Sequence, residues 1–332
     1  MMTERGRTMT EVPSILNWLD DERLACPRAS LLAVFDDRSQ TLESTPDEFI
    51  LVKSRGMIDW YEASFAGDPP ERVLEIGIFK GGSVVLFSEL WRPERLVAVD
   101  ISVEPIPALA EYVRRCQLAE SVKPVFGIDQ ADAVAMRSVI VSEFGAVPLD
   151  LVVDDGCHFL EETRTTFETV FPFLRPGGTY VIEDWGWAHW PGIWQDDGGP
   201  WPNKPAPTLL ALELAMLCAS RPDLVESVEI TQALIVVRKG VGETADTDFA
   251  LPANYLTAGR VFLEEGFASP SREGEHAPSL QELAQTVRNR ERELERSRAM
   301  VRELDGAIRA LRSSQSWRIT APLRRLKRAL RG

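Results

Sequence analysis

Arg72-Val73-Leu74-Glu75-Ile76-Gly77-Ile78-Phe79-Lys80-Gly81-Gly82-Ser83 decides the fold. A short apolar run closed by an acidic residue, then a glycine-rich turn and a helix-length segment, reads as strand, turn and helix. The glycines permit positive φ and a close backbone approach to a ligand, and Ser83 is placed to cap a helix whose free N–H groups face a cleft. The spacing is G-x-x-x-G-G. It is neither the G-x-G-x-x-G of dinucleotide binders nor the G-x-x-x-x-G-K of P-loops, which counts against hydride transfer.

The same strand-then-helix rhythm repeats on the C-terminal side. Leu96 to Asp100, Val122 to Phe126, Leu149 to Asp155 and Thr179 to Asp184 are strand-like runs separated by helix-length segments. That alternation predicts βαβ units and a mostly parallel sheet covered on both faces. Ser227 to Thr231 and Leu234 to Arg238 lie too close together for a helical crossover, so they are expected to form an antiparallel hairpin at the sheet edge. The expectation is an α/β, Rossmann-like fold with a seven-stranded, mostly parallel sheet over residues 56–240. On the N-terminal side, residues 1–55 are polar and punctuated and read as a loose arm with short helices.

Residues 241–278 carry scattered Gly and Pro and read as a linker. Residues 279–312 show a heptad, Leu280, Val287, Leu294, Val301 and Ile308 in one register with Leu283, Leu304 and Leu311 in the other, which predicts a coiled-coil helix and a homo-oligomer. Arg290 and Ser297 interrupt its middle. Residues 313–332 have six basic and no acidic side chains after Trp317, a basic amphipathic segment suited to an anionic membrane face or an acidic partner, or else a solvated helix end.

The chain of 332 residues has a formal charge of −14. Residues 279–332 hold 14 Lys and Arg against 6 Asp and Glu, leaving −22 on residues 1–278. Such an acidic body repels phosphate backbones and disfavours a nucleic-acid partner. The four cysteines lie far apart without a C-x-x-C pair, which points to neither a zinc site nor a disulfide framework and favours a reducing, cytoplasmic setting. No run of 18 apolar residues occurs.

Asp100 ends the second strand, where a carboxylate can accept both hydroxyls of a ribose. Glu75, beside the turn, suits a positively charged cofactor better than a pyrophosphate, and S-adenosylmethionine meets that requirement. On these residues the sequence resembles the class I S-adenosylmethionine-dependent methyltransferases across residues 55–240. The resemblance implies that Glu75, Gly77, Lys80, Gly81, Gly82 and Ser83 line the methionine end and that Asp100 holds the ribose. It also implies that Asp129 and Gln130 border the adenine, with Asp154 beside the cofactor.

Two acidic clusters end the fourth and fifth strands: Asp154-Asp155-Gly156-Cys157-His158 and Glu183-Asp184-Trp185. Carboxylates converging over one crevice repel unless a cation neutralises them, and a hard divalent ion such as Mg²⁺ fits oxygen donors. His158, in that crevice and one of three histidines, is placed to act as a general base. The D-D-G-x-H and I-E-D-W pair resembles the metal-dependent sugar O-methyltransferases of the macrolide type and, in part, cephalosporin hydroxylase-like proteins. That resemblance implies Asp155, Glu183 and Asp184 as Mg²⁺ ligands and His158 as the base, with Cys157 standing where Ser is usual.

Five of nine tryptophans fall within residues 185–201 among Gly and Pro, so neither helix nor strand is expected. Trp185, Trp187, His189 and Trp190 are candidate sugar contacts, or else a small packed cluster. The expected reaction is methyl transfer from S-adenosylmethionine to a sugar hydroxyl. A surface polysaccharide or glycolipid made at the inner face of the cytoplasmic membrane is the expected acceptor, because residues 314–328 (SQSWRITAPLRRLKR) resemble tails that follow a coiled coil in glycosyltransferases and methyltransferases of bacterial surface-polysaccharide assembly. Three alternatives stand beside it: methylation of a macrolide or other secondary-metabolite sugar, a non-catalytic coiled-coil scaffold that binds cofactor, and a hydroxylase. The last is disfavoured by the lack of a two-His-one-carboxylate triad.

Overall fold

The computed structural model describes residues 15–192, 204–242 and 249–256. The expected coiled coil, the basic tail and most of the linker lie outside these residues.

Residues 17–51 build a small sheet where a loose arm with short helices was expected. Its strands are β1 (Asn17–Trp18), β2 (Arg23–Ala25), β3 (Ser30–Ala33) and β4 (Glu48–Leu51), in that order across the sheet. β1 to β3 pair antiparallel, and β3 pairs parallel with β4. The strands have two to four residues, too short to show an alternating pattern in sequence. Ser54 then caps helix α1 (Arg55–Phe65) by accepting the N–H of Met57.

The main sheet has seven strands: β5 (Arg72–Ile76), β6 (Arg95–Asp100), β7 (Val122–Phe126), β8 (Leu149–Asp154), β9 (Leu174–Glu183), β10 (Val225–Ile230) and β11 (Leu234–Lys239). Their order is β10-β11-β9-β8-β5-β6-β7. β9, β8, β5, β6 and β7 run parallel, whereas β11 is antiparallel to β9 and β10 to β11, which is the expected edge hairpin. Helices α2 (Gly82–Trp91), α3 (Pro107–Arg115), α4 (Ala133–Phe144), α5 (Leu160–Val170) and α6 (Thr208–Ser220) connect the strands, and the short α7 (Leu251–Asn254) follows the hairpin.

Period-two alternation along the strands feeds two cores. Leu74, Ile76, Val97, Val99, Val152, Tyr180 and Ile182 pack with Met136, Ile140, Phe167 and Leu214 on the α4–α6 face. Val73, Leu96, Ala98, Leu151, Val153 and Val181 pack with Ile58, Tyr61, Phe87 and Leu109 on the α1–α3 face, where the small sheet adds Leu24, Leu31, Phe49 and Leu51. Truncating a wholly buried ring such as Phe167 to Ala is expected to cost about 3–5 kcal/mol. The strand order reverses between β5 and β8, the position at which open α/β sheets leave a crevice beyond their carboxyl ends.

Candidate active site

A cleft of about 920 Å³ opens at that position. Gly77, Lys80, Asp100, Asp129, Gln130 and Asp155 lie on its wall, with Phe79, Ile101, Ile128 and Phe159 supplying apolar surface. Gly77 has φ +95°, and a Cβ there would run into the Asp155 carbonyl, so only glycine lets the loops after β5 and β8 meet. Asp100 Oδ2 accepts the N–H groups of Ile78 at 2.8 Å and Phe79 at 3.1 Å, and its Oδ1 accepts that of Ser102 at 2.8 Å. The carboxylate thereby ties the β5 turn to the end of β6 while keeping its place on the cleft wall.

Gln130 braces the floor. Its Oε1 accepts the Cys157 N–H at 2.8 Å, and its Nε2 donates to Thr166 at 3.0 Å and Asp154 at 3.3 Å. Lys80 pairs at 2.7 Å with the exposed Glu43. Gly81, at φ +84°, is itself the cap of α2 without a side-chain bond, and Ser83 is buried in the first turn. Ser83 is therefore not the cap that the sequence predicted, because the helix begins two residues earlier, at Gly82. Gly82 and Ser83 line a smaller pocket of about 40 Å³ shared with Ile50, Lys53, Gly77 and Asp155.

The two acidic clusters do not converge as whole pairs, since strand alternation sends neighbouring carboxylates to opposite sides. Asp154 turns into the α4–α6 core, where it accepts hydrogen bonds from Tyr180 at 3.1 Å and Gln130. Burial pushes its carboxyl up to about 7, against the opposing Tyr180 bond. Glu183 turns to the α1–α3 side and accepts from Lys53 Nζ at 2.6 Å and Tyr61 Oη at 2.6 Å. Burial, reinforced by the Asp155 charge, raises its pKa while Lys53 opposes the rise. Glu75 is on that side too, fully buried, and neither of its oxygens has a hydrogen-bond partner. Burial lifts it to about 8 despite the nearby Lys53 charge.

Asp155, His158 and Asp184, just past the ends of β8 and β9, do come together. One ligand atom from each lies within 4.8 Å of the others. His158 Nε2 is 3.9 Å from Asp155 Oδ1. His158 and Asp184 both hold left-handed backbone, at φ 57° and 51°, a strained geometry of the kind found at functional sites. Asp184 Oδ1 is buried without a partner, and burial raises the Asp184 pKa.

Lys53 was not legible as a site residue. It follows β4 and reaches the strand ends from the small sheet, with Nζ 2.8 Å from Asp155 Oδ2 and 2.6 Å from Glu183 Oε2, and its side chain is 1% exposed. Burial disfavours its charge, but Asp155, Glu183 and Glu75 outweigh that and hold its pKa above the ordinary lysine value. The available signal was a lysine directly behind the apolar run Phe49-Ile50-Leu51-Val52, where a solvated side chain has little room.

The tryptophan loop is partly structural. Trp187 is buried, and its indole N–H donates to the His158 carbonyl at 2.8 Å, bracing the loop that carries the imidazole. Trp185 donates to the Thr231 carbonyl at 2.9 Å, and His189 Nε2 lies 2.9 Å from the Thr208 hydroxyl. Trp185 and Trp190 are half-buried; Trp194 and Trp201 lie outside the described residues.

A family model described as a methyltransferase domain matches residues 74–185. Demethylmacrocin O-methyltransferase of Streptomyces fradiae is 36% identical over 148 residues, covering 42% of this chain and 33% of that protein. L-olivosyl-oleandolide 3-O-methyltransferase of Streptomyces antibioticus is 43% identical over 158 residues, covering 44% of this chain and 36% of that protein. The solved MycE methyltransferase of the mycinamycin pathway, in complex with Mg and SAH, aligns at 25% identity and a TM-score of 0.42, covering 56% of this chain and 49% of that one. The chain thus spans about a third of the length of these curated relatives. Residues 74–185 thus form a methyltransferase domain, set in a sheet of the order given above, and over that part the chain resembles the macrolide-type sugar O-methyltransferases.

Proposed function

We propose that this chain is a divalent-metal-dependent O-methyltransferase acting on a sugar hydroxyl of a glycosylated small molecule of the macrolide or polyketide kind. The observation that carries the proposal is the meeting of Asp155, His158 and Asp184 beside a cleft that Asp155 lines together with Gly77 and Asp100. The names of the relatives favour the small-molecule acceptor over the surface glycan expected from residues 313–332.

The residues present suit the two implied groups. Asp184 Oδ1 and both Glu75 oxygens are buried without partners, a costly state that a bound cation or a cationic cofactor relieves. Asp155, Glu183 and Asp184 would hold the metal, and Gly77, Asp100 and Asp129 would border the nucleoside. When bound, S-adenosylmethionine supplies an electrophilic methyl group, and a divalent ion makes an adjacent hydroxyl more acidic. His158 takes the hydroxyl proton on its imidazole, and the Asp155 carboxylate, 3.9 Å from Nε2, stabilises the resulting imidazolium. Trp187 holds that imidazole in register through the His158 carbonyl. Half-buried Trp185 and Trp190 offer apolar faces to a sugar ring.

The test is incubation of the full chain with S-adenosylmethionine, Mg²⁺ and a panel of glycosylated macrolides and polyketides alongside bacterial glycolipid extracts, with products read by mass spectrometry. A gain of one methyl on the sugar of a small-molecule acceptor is the expected result. Methylation confined to the glycolipid fraction would overturn the acceptor class.

A further inference from the structure

We propose that Lys53 is a tethered counter-ion that occupies the Asp155–Glu183 carboxylate pair in the metal-free protein and competes with the divalent ion for it. The proposal rests on the metal-site reading above and extends it to a residue supplied by a different part of the fold.

Three observations carry it. The Lys53 ammonium lies between the two carboxylates, at 2.8 Å and 2.6 Å, where a cation would have to act to neutralise them. The pair is not surface decoration, because Lys53 and Glu183 are each 1% exposed, and a buried charge is held there only by its partners. The third is the way the small sheet is fastened to the cofactor turn. A Cβ on Gly82 would overlap the Ile50 carbonyl, Ser44 Oγ donates to the Lys80 carbonyl at 2.7 Å, and the Ile50 N–H donates to Ser44 Oγ at 3.0 Å. β4 is therefore fixed against the turn, and the ammonium is delivered to a set position.

A fixed positive charge within hydrogen-bond distance of two ligands weakens a divalent ion's binding by repulsion and by holding the oxygens it needs. It also lets the acidic cluster fold before metal arrives. Tyr61, at 2.6 Å from the other Glu183 oxygen, keeps that carboxylate oriented when the ammonium withdraws.

Direct Mn²⁺ binding to the full chain, followed by electron paramagnetic resonance without cofactor or acceptor, tests the proposal. Lys53→Met is expected to bind Mn²⁺ at least tenfold more tightly than the wild type and to melt at lower temperature in EDTA, with Mn²⁺ restoring most of that loss. Affinity equal to or weaker than wild type overturns it. Should Lys53→Met fail to fold, Glu183→Gln is compared with Lys53→Met/Glu183→Gln, which removes both charges of the pair. The double variant must bind Mn²⁺ more tightly than the single one, and equal binding overturns the proposal. Asp184→Asn separates the two readings. Loss of Mn²⁺ binding in that variant with no effect of Lys53 substitution sinks only the counter-ion, whereas unchanged Mn²⁺ binding in Asp184→Asn sinks the metal site and the counter-ion with it.

Discussion

His158 carries the proton-transfer assignment, and its replacement isolates that role. His158→Ala is expected to lower methyl transfer by about 10²–10⁴-fold while cofactor affinity measured by calorimetry stays within a few-fold of wild type. Wild-type turnover would remove the imidazole from the reaction. Glu75 makes a separate prediction about stability. In the folded chain burial holds its proton up to about 8, above the ordinary glutamate range, so between those values the native state binds more protons than the unfolded one. Stability of the cofactor-free protein is therefore fullest below the ordinary glutamate range and falls as pH rises towards 8. Glu75→Gln, which cannot ionise, should flatten that fall in melting temperature and melt higher than wild type above pH 8; parallel profiles would contradict the account. Single residues were readable in sequence when their type was distinctive and their strand position clear, as at Gly77 and Asp100. The acidic pairs were read as one cluster because adjacency in sequence hides the alternation that sends Asp154 into one core and Glu183 towards Lys53.

Among elements, the turn after β5 and the loop around Trp187 each make a prediction. Gly77→Ala combines a positive φ with a Cβ that has no space beside the Asp155 carbonyl. The backbone strain alone costs about 1–3 kcal/mol, and relief of the overlap moves the loops apart. Lowered melting temperature with at least tenfold weaker cofactor binding is expected, and unchanged binding would mean that the turn does not form the cofactor wall. Trp187→Phe keeps most of the packing and deletes the indole N–H that holds the His158 carbonyl. Turnover should fall several-fold with Mn²⁺ affinity preserved; an unaltered rate would reduce the loop to packing. The five parallel strands and the hairpin were legible because each spans five or more residues and is set off by helix-length segments or a tight turn. The small sheet was not, since strands of two to four residues carry too little periodicity to be distinguished from loop. Its functional contribution through Lys53 was hidden for the same reason, the contact to Glu183 spanning 130 positions in sequence.

At the scale of the molecule, the negative body charge is put to local use. Glu75, Asp155, Glu183 and Asp184 gather at the carboxyl ends of β5, β8 and β9, with one buried lysine to offset them. Among the described residues no helix is long and apolar enough to cross a membrane. The heptad and the basic tail lie outside the described residues, so the chemistry proposed stands on residues 15–256 alone. At its centre, Asp155, Glu183 and Asp184 would hold a divalent ion for methyl transfer, with His158 beside them as the base. The most direct measurement is the rate of methyl transfer by EDTA-stripped protein to a glycosylated acceptor that the intact enzyme methylates, titrated with Mg²⁺ and repeated with Asp155→Asn. No transfer without metal, saturable recovery with Mg²⁺ and no recovery in the variant are the expected results. Full activity in EDTA would contradict the metal assignment.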